Sequence, residues 1–206
     1  MSFNLARYAG TPVPRETLDR VGRYAALLAN EANQQNLVAK STLDGLWKRH
    51  IADSAQLVRF EPCAGSSWID VGSGAGLPGI ILACIVAGPV TLVEPRRLRA
   101  EFLQRAVADL ELGDRAHVVC AKAQAVMGSF DVITARAVAS VDALLRMTIH
   151  LSHPGTVWVL PKGRRAKSEL AEARRNWHCD ARVEGSMTDP DAAILVIRNV
   201  SAKGKA

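Results

Sequence analysis

The segment SSWIDVGSGAGLPGIILA at residues 66–83 constrains the fold of this chain more than any other. A short apolar run ends at Asp70, glycines follow at alternate positions, and a second apolar run begins after Pro78. Glycine permits positive φ and lets a ligand approach the backbone closely. Proline is favoured in the first turn of a helix, where free N–H groups can hold an anionic group. The segment therefore predicts a strand, a ligand-binding turn and a helix, in that order.

Strand-like and helix-like patterns alternate along the rest of the chain. The predicted strands are 67–71, 90–94, 117–120, 131–134 and 156–160. The predicted helices are 79–87, 98–110, 141–151 and 166–177. Such alternation implies right-handed crossovers and a parallel sheet that is covered on both faces. The closing stretches DARVEG and AAILVIRNV predict an antiparallel hairpin at the sheet edge. The expected fold class is α/β, a Rossmann-like and mainly parallel sheet with a terminal antiparallel strand.

The first sixty residues have a different, helical pattern. Apolar residues recur at helical spacing over 15–32 and again over 41–58, where Leu43, Trp47 and Ile51 share a face and Ser41 or Thr42 can cap the helix. A length of 206 residues suits one main domain. We therefore expect an N-terminal helical segment at 1–62 packed on the core, an α/β domain at 63–200 and a flexible basic tail at 201–206.

Composition limits the cellular setting and the partners. The net charge of +6 favours an anionic partner. The N-terminus lacks the apolar region of a signal peptide, and the longest apolar stretch is too short to span a bilayer. The four cysteines show no C-x-x-C spacing, which argues against zinc and predicts reduced, mostly buried thiols. We expect a cytoplasmic monomer with no membrane partner and no metal.

Two ligands compete for the glycine turn. GAGLPG matches the G-x-G-x-x-G pattern of dinucleotide-binding turns, whereas DVGSGAG reads D-x-G-x-G-x-G, as in methyltransferases that use S-adenosylmethionine. A carboxylate at Asp70 would repel a diphosphate, but it suits the ammonium and sulfonium of S-adenosylmethionine. Glu94 ends the second strand and is placed to accept hydrogen bonds from ribose hydroxyls, which suits both ligands. A turn without any ligand is the third reading, and the sequence favours the methyl donor.

The predicted donor site therefore combines the acidic residues with the glycines, namely Asp70, Gly72, Gly74, Gly76 and Glu94. S-adenosylhomocysteine would be the product left there. Basic residues follow strands two, four and five, namely Arg96, Arg97, Arg136, Lys162, Arg164 and Arg165. The carboxyl ends of parallel strands share one rim, which is the rim that holds the ligand. The convergence of these basic residues on that rim predicts a large anionic substrate such as RNA or DNA.

The loop after strand four bears on which atom receives the methyl group. Transfer to exocyclic amines usually goes with an N/D-P-P-Y loop, but this chain has TARAVAS there. Methylation of pyrimidine C5 needs a nucleophilic cysteine in that region, and the sequence has none there. A ring nitrogen with a free lone pair needs alignment more than it needs a base. Guanine N7 is such an atom, and the sequence favours it.

Several motifs together resemble one known family. DVGSGAGLPGI, TLVEPRRLRAEFL, FDVITARAVAS and RHIADS occur in the order and spacing of the bacterial 16S ribosomal RNA guanine-N7 methyltransferases, the glucose-inhibited division protein B family. The resemblance extends from about Asn36 to Gly163. It implies methylation of a guanine near the decoding centre of the small ribosomal subunit. It also implies donor contacts at Gly72, Leu77, Glu94, Ala123, Gln124 and Arg136. The family commonly has glutamate where this chain has Gln124, and an amide can still donate and accept there.

His50 and Asp53 lie in RHIADS, three residues apart and hence on one helical face. With Arg136 they are candidates for positioning the guanine, as the resemblance suggests; alternatively, they form a hydrogen-bonded pair that packs the N-terminal helices onto the sheet. Two other functions remain open from the residues. One is a small-molecule methyltransferase, and the other is a non-catalytic RNA-binding assembly factor on a methyltransferase-like fold.

Overall fold

Seven strands form one sheet at the centre of the protein, in a computed structural model that describes residues 4–32, 37 and 45–204. The strands are β1 Trp68–Val71, β2 Val90–Val93, β3 Ala116–Val119, β4 Val132–Thr134, β5 Val157–Lys162, β6 Trp177–Gly185 and β7 Ala193–Ala202. Their spatial order is β3-β2-β1-β4-β5-β7-β6. Strands β1 to β5 are parallel, whereas β7 runs antiparallel to both β5 and β6. The predicted mainly parallel sheet with a terminal antiparallel strand is confirmed.

Helices connect the strands and precede the sheet. They are α1 Leu5–Ala9, α2 Arg15–Glu31, α3 Asp53–Ala55, α4 Gly79–Ile85, α5 Arg97–Asp109, α6 Val141–Thr148 and α7 Ala166–Ala173. A π-helical turn, Trp47–Ala52, leads into α3, and shorter 3-10 turns occupy Gln56–Phe60, Ala123–Ala125 and Ile149–Leu151. The predicted cap at Ser41 or Thr42, the helical position of Leu43, and the motif residues Asn36 and Val38 lie outside the described residues.

Each face of the sheet is covered by helices, and this explains the apolar strands. Trp68 faces the core shared with α2, α4 and α5, whereas its neighbour Ile69 faces the core shared with α6 and α7. All four residues of β1 are buried. Alternate residues of a strand point to opposite faces, so a strand covered on both sides needs apolar residues on both. The same alternation divides β5, where Val157 faces the first core and Trp158 the second.

The N-terminal helices share the core of the α/β domain. Tyr24 is fully buried in α2, and its hydroxyl donates a hydrogen bond of 2.6 Å to the carbonyl of Ala75 in the glycine turn. Burial raises the pKa of the Tyr24 hydroxyl far above its usual value, so the group stays a neutral donor. Glu31, at the end of α2, pairs with Arg105 of α5 at 2.9 Å. The helical segment therefore supports the glycine turn through Tyr24.

Two predicted elements have wrong boundaries near the C-terminus. The helix expected to reach Trp177 ends at Ala173, and β6 already begins at Trp177 rather than at Asp180. The strand begins earlier because the side chain of Trp177 is buried. Its indole is 4% exposed and donates a hydrogen bond to Asp142 at 2.9 Å. Strand β7 reaches Ala202, two residues past the expected end of the domain.

The helix predicted over 41–58 is not regular where the structure describes it. The backbone is π-helical over Trp47–Ala52, α-helical over Asp53–Ala55 and 3-10 over Gln56–Phe60. A π-helical turn shifts every later side chain around the helix axis and is often found at functional sites. Ile51 and Val58 remain buried, but Trp47, expected on the same face, is 36% exposed.

Two predictions made from composition concern the burial of the cysteines and the absence of a membrane-spanning segment. Cys84 is buried, Cys179 is half-buried, and Cys63 and Cys120 are exposed. The expectation of mostly buried thiols is therefore wrong. Within the described parts of the chain, no helix combines the length and the apolar character needed to cross a membrane.

Candidate active site

The glycine turn between β1 and α4 is held against the next strand by its own backbone. The N–H groups of Gly72 and Ser73 both donate to the carbonyl of Val93, at 2.8 and 3.0 Å. Gly72, Gly74 and Gly76 have φ values of 72°, 55° and 90°, a region that costs other residues about 1–2 kcal/mol. The Cβ of any other residue at Gly72 would lie 2.6 Å from Val138, on the loop after β4. The loop after β4 therefore packs directly on the predicted donor turn.

Glu94 is fixed at the tip of this turn. Its carboxylate accepts from the N–H of Gly74 at 2.9 Å and from the N–H of Arg96 at 2.8 Å, and the residue is 3% exposed. Each carboxylate oxygen has two acceptor positions, so one position on each remains for a ligand hydroxyl. Glu94 therefore contacts the predicted donor turn through its hydrogen bond with the N–H of Gly74.

Asp70 is the buried acid beneath the turn. Its Oδ2 accepts from the N–H of Gly79 at 3.0 Å, which is the start of α4. Its Oδ1 is buried without a hydrogen-bond partner among the described residues. Burial raises the pKa of this carboxyl to about 6, against a smaller lowering by the Gly79 hydrogen bond. A nearby cation would favour the ionised form. The ammonium and sulfonium of S-adenosylmethionine are such cations, so this residue fits that donor better than it fits a diphosphate.

The remaining predicted donor contacts lie along the same rim. Leu77 is buried in the turn, at 4% exposure. Ala123 and Gln124 form the 3-10 turn after β3, the strand next to β2, with Ala123 buried and Gln124 exposed. Because β2 and β3 are parallel neighbours, this 3-10 turn and Glu94 lie at adjacent strand ends. The donor set is thus assembled over β1, β2 and β3.

Arg136 begins the loop after β4 and is the centre of a polar cluster. Its Nη1 lies 3.1 Å from Nδ1 of His50 and 3.6 Å from Oδ2 of Asp53. A guanidinium only donates, so Nδ1 accepts and the proton of the neutral imidazole is on Nε2. Burial, followed by the charges of Arg136 and Arg49, lowers the pKa of His50 to about 4. His50 is therefore neutral at pH 7 and is an acceptor for Arg136.

A cleft of about 820 Å³ opens beside this cluster. The cleft is lined by residues of the π-helical turn, by Arg136 and the loop 137–139, by the end of β5, and by the loop between β6 and β7. It is therefore adjacent to the glycine turn, with Val138 in contact with both. Two basic residues of its lining, Lys48 and Arg49, were missed by the sequence prediction, although they directly precede His50. The placement of the β6–β7 loop was also missed, because nothing in the local sequence indicates what it faces.

The predicted RNA-binding residues are at the expected rim but differ in their partners. Arg96 and Arg165 are exposed. Arg97 pairs with Glu101 at 2.8 Å, and Arg164 pairs with Asp191 at 2.6 Å. These two pairs are exposed and therefore weak enough for a phosphate to replace the carboxylate.

Lys162 is placed differently from these four arginines. Its side chain is 10% exposed and donates to the carbonyl of Ala139 at 2.6 Å and to Glu169 at 3.0 Å. The residue ties α7 to the loop after β4. Lys162 also lines the cleft, and the prediction that it contacts RNA stays a prediction.

The described residues contain no group of three or more His, Cys, Asp or Glu side chains that could hold a metal ion. The chemistry of the rim is that of hydrogen bonds, carboxylates and guanidinium groups. The arrangement suits a bound cationic donor over β1 to β3 and a large polar acceptor over β4 to β7.

Comparison with known proteins decides the family. The model of the family described as rRNA small subunit methyltransferase G matches residues 17–195. This chain belongs to that family. A ribosomal RNA small subunit methyltransferase G of Zymomonas mobilis is 43% identical over 204 residues, covering 93% of this chain and 90% of the relative. The corresponding protein of Rhizorhabdus wittichii is 44% identical over 196 residues, covering 94% and 90%.

Solved structures agree with the fold. A methyltransferase from Aquifex aeolicus, described as SAM-dependent, superposes with a TM-score of 0.58 at 14% identity, covering 74% of this chain and 91% of that one. The predicted family, fold class and methyl donor are confirmed. This rRNA small subunit methyltransferase G family member is an S-adenosylmethionine-dependent methyltransferase that acts on ribosomal RNA.

Proposed function

We propose that this enzyme methylates N7 of one guanine in 16S ribosomal RNA, near the decoding centre of the small ribosomal subunit. The observation that carries the proposal is the polar cleft beside the glycine turn, where Arg136 is held by a neutral His50 and by Asp53. The family supplies the ribosomal substrate, and the motif resemblance supplies the guanine. We further propose that the enzyme acts in the cytoplasm, where such a substrate is found, and that it acts as a monomer, since one copy of the chain carries both halves of the proposed site.

The proposed site has a donor half over β1 to β3 and an acceptor half at the cleft. Gly72, Gly74 and Glu94 would hold the donor, with Ala123 and Gln124 beside its adenine. When bound, S-adenosylmethionine supplies an electrophilic methyl group on a sulfonium. Asp70 supports the positive charge on the donor from beneath the turn. Val138, in contact with Gly72, closes the boundary between this half and the cleft.

The acceptor half must align a base and need not remove a proton from N7. The Arg136 guanidinium can donate to O6 of a guanine, which leaves the N7 lone pair free to attack. Asp53 offsets the charge of Arg136 beside a purine that becomes positively charged on methylation. His50 stays neutral because of its lowered pKa and therefore adds no further positive charge. Alignment of this kind is the principal contribution such a site makes to the rate.

Identification of the methylated nucleoside tests this proposal. Small subunits from cells that lack the modification are incubated with the enzyme and labelled donor, and the RNA is digested to nucleosides. We expect the label in 7-methylguanosine. Label in another methylated nucleoside would overturn the choice of atom. Donor binding with transfer to a small molecule instead, or binding to the subunit with no transfer, would favour one of the two alternative functions.

A further inference from the structure

The loop between β6 and β7, residues 186–192 and hereafter the hairpin loop, forms the far wall of the cleft. Ser186, Thr188, Asp189 and Pro190 all line it. Strand β7 lies next to β5, and β5 lies next to β4, so the cleft is bounded by this loop on one side and by Arg136 on the other. The glycine turn belongs to β1, on the far side of β4 from the loop. An acceptor base in the cleft would lie between the donor and the hairpin loop.

A buried glutamine holds this loop. Gln56 is 1% exposed, and its Oε1 accepts from the N–H of Met187 at 2.8 Å. Its Nε2 donates to Oδ1 of Asp53 at 2.8 Å, and the hydroxyl of Thr188 donates to the same oxygen at 2.7 Å. A buried amide that satisfies both of its ends is costly to disturb, because its partners would be left unpaired. The hairpin loop is therefore fixed to the helical segment through Met187 and Thr188, and Nε2 of Gln56 also donates to the hydroxyl of Ser186 at 3.2 Å.

The same network reaches the opposite side of the cleft. The second oxygen of Asp53 lies 3.6 Å from the guanidinium of Arg136. Asp53 thus connects the hairpin loop, through Thr188, with the residue that we place on the acceptor base. Residues of the π-helical turn supply His50 to the same cluster. A displacement of Thr188 would therefore alter both the width of the cleft and the support of Arg136.

We propose that the hairpin loop sets which acceptor fits the cleft, and that Gln56 and Thr188 are positioning residues that fix its distance from Arg136. The inference rests on the proposed function, because it takes the cleft to be the acceptor site. The ligand it concerns is the purine nucleotide of the RNA, not the donor. Loss of either positioning hydrogen bond weakens productive binding of the subunit and leaves the donor half intact.

Thr188→Val removes the hydroxyl while keeping the shape of the side chain, and it is the first variant to test. We expect the KM for small subunits to rise by about 3- to 10-fold, which corresponds to one net hydrogen bond. The Kd for S-adenosylmethionine should stay within about twofold of wild type by the same reckoning, since the donor half is untouched. Thr188→Ser keeps the hydroxyl and should restore the KM. Gln56→Met, of similar length but without the amide, should raise the KM at least as much.

The matched control is at the other end of the same hairpin. Asn199 donates to Asp180 at 2.7 Å and has a φ of 51°, so Asn199→Gly removes one hydrogen bond without backbone strain. It lies six residues beyond Ala193, about 20 Å along the strand. We expect it to lower the Tm without raising the KM.

The outcomes separate this inference from the function on which it rests. An unchanged KM in Thr188→Val, or a KM that rises equally in Asn199→Gly, would overturn the role of the hairpin loop while leaving the function standing. Failure of the wild-type enzyme to methylate small subunits would overturn both. A rise in KM that Thr188→Ser does not reverse would show that the hydroxyl is not the positioning group, and it would also overturn the inference.

Discussion

Asp70 is a buried acid whose ionisation opposes folding and favours the bound donor. Its pKa is raised to about 6, chiefly by burial, from 3.8. Because the folded-state value lies above the unfolded one, the folded protein holds the proton more tightly, and stability falls as the pH rises from about 4 through 6. Above pH 6 the cost reaches about 3 kcal/mol. A cation bound near this carboxylate would recover part of that free energy.

Asp70→Asn should therefore stabilise the enzyme and weaken donor binding. Asparagine can still accept from Gly79, but it carries no charge. We expect the free energy of unfolding at pH 7.5 to rise by up to about 3 kcal/mol, and by less at pH 5. In the wild type, donor affinity should fall as the pH drops below about 6, and the variant should lose this dependence. Denaturant unfolding and donor titration at both pH values measure these effects. A variant that binds the donor as tightly as the wild type would contradict this role.

Arg136 was predicted from the sequence both as a donor contact and as a guide for the guanine, and we propose the second role. Its side chain lines the cleft, is hydrogen-bonded to His50 and forms an ion pair with Asp53. We expect Arg136→Gln to lower the kcat for methyl transfer by about 10- to 100-fold, in line with the loss of a hydrogen bond to a charged group. The donor Kd should change by less than about threefold. Single-turnover experiments measure the rate of methyl transfer, and donor titration measures the Kd. If the variant lost donor binding but kept its rate of transfer, Arg136 would instead be a donor contact.

The individual residues of the donor site were more predictable than those of the acceptor site. Asp70, the glycines and Glu94 follow directly from strand ends, so their spacing along the chain fixes their position. Gln56 and Thr188 are 132 residues apart in the sequence and meet only through the edge hairpin. Lys162 looked like an RNA contact because it follows a strand, but its partner Glu169 lies on the next helix. Local patterns carry no information about a partner as distant in sequence as that of Gln56.

The glycine turn contains two kinds of glycine, which substitution should separate. A Cβ on Gly74 would find its nearest neighbours, Arg99 and the Gly72 carbonyl, at 3.7 Å, whereas one on Gly79 would overlap Leu92 and the Asp70 carboxylate. Gly74→Ala should cost only the strain of its positive φ, about 1–2 kcal/mol, and should weaken the donor affinity by filling the face of the turn. Gly79→Ala should cost more, about 3 kcal/mol or above, because α4 must move off the sheet. Thermal unfolding and donor titration of both variants test this. Equal losses of stability would contradict it.

Elements with strong periodicity were predicted well, and irregular ones were not. Strands β1, β2, β4 and β5 have buried apolar residues on both faces, as expected of a sheet that is covered on both sides. The π-helical turn has no such signal, since its apolar residues fit an ordinary helix and its extra residue is accommodated by tertiary packing. It is this turn that brings His50 to Arg136. The irregular element is therefore part of the acceptor site that we propose.

The distribution of charge over the molecule favours one rim as the RNA-binding surface. Arg96 and Arg165 follow strands at that rim and are exposed. Arg175, in the turn that follows α7, is also exposed but lies near the opposite edge, because α7 begins at the rim and runs away from it. The net charge of +6 alone would attract RNA to any surface. We expect only the basic residues at the rim to contact phosphates of the RNA and thereby contribute to the salt dependence of binding.

Salt dependence tests this distribution. The Kd for small subunits should increase with salt, and the double variant Arg96→Gln, Arg165→Gln should reduce the slope of log Kd against log salt by about 1.5, from roughly 0.7–0.9 per phosphate contact. The control Arg175→Gln changes the net charge without touching the rim and should leave the slope within about 0.3 of wild type. Equal reductions in the double variant and the control would contradict a localised RNA surface.

The order of the sheet determines how both halves of the site come together. The residues that we propose for the donor follow β1 to β3. Those that we propose for the acceptor include the loop after β4 and the loop between β6 and β7, and the strand order reverses between the two sets at β1 and β4. Ligands of such sheets bind at the carboxyl ends of the strands near this reversal. The rim was therefore predictable from the alternating pattern. The wall formed by the terminal hairpin was not, because its position depends on an antiparallel pairing between β5 and β7.

The location of the methyl group in the RNA is the most direct test of the account. Small subunits lacking the modification are methylated by the wild-type enzyme and by Arg136→Gln, and the 16S RNA is cleaved chemically at 7-methylguanosine. We expect cleavage at one guanine near the decoding centre with the wild type, and a strongly reduced yield at that same position with the variant. Cleavage at many guanines, or none despite bound donor, would contradict the assignment of the cleft as a site for one guanine N7.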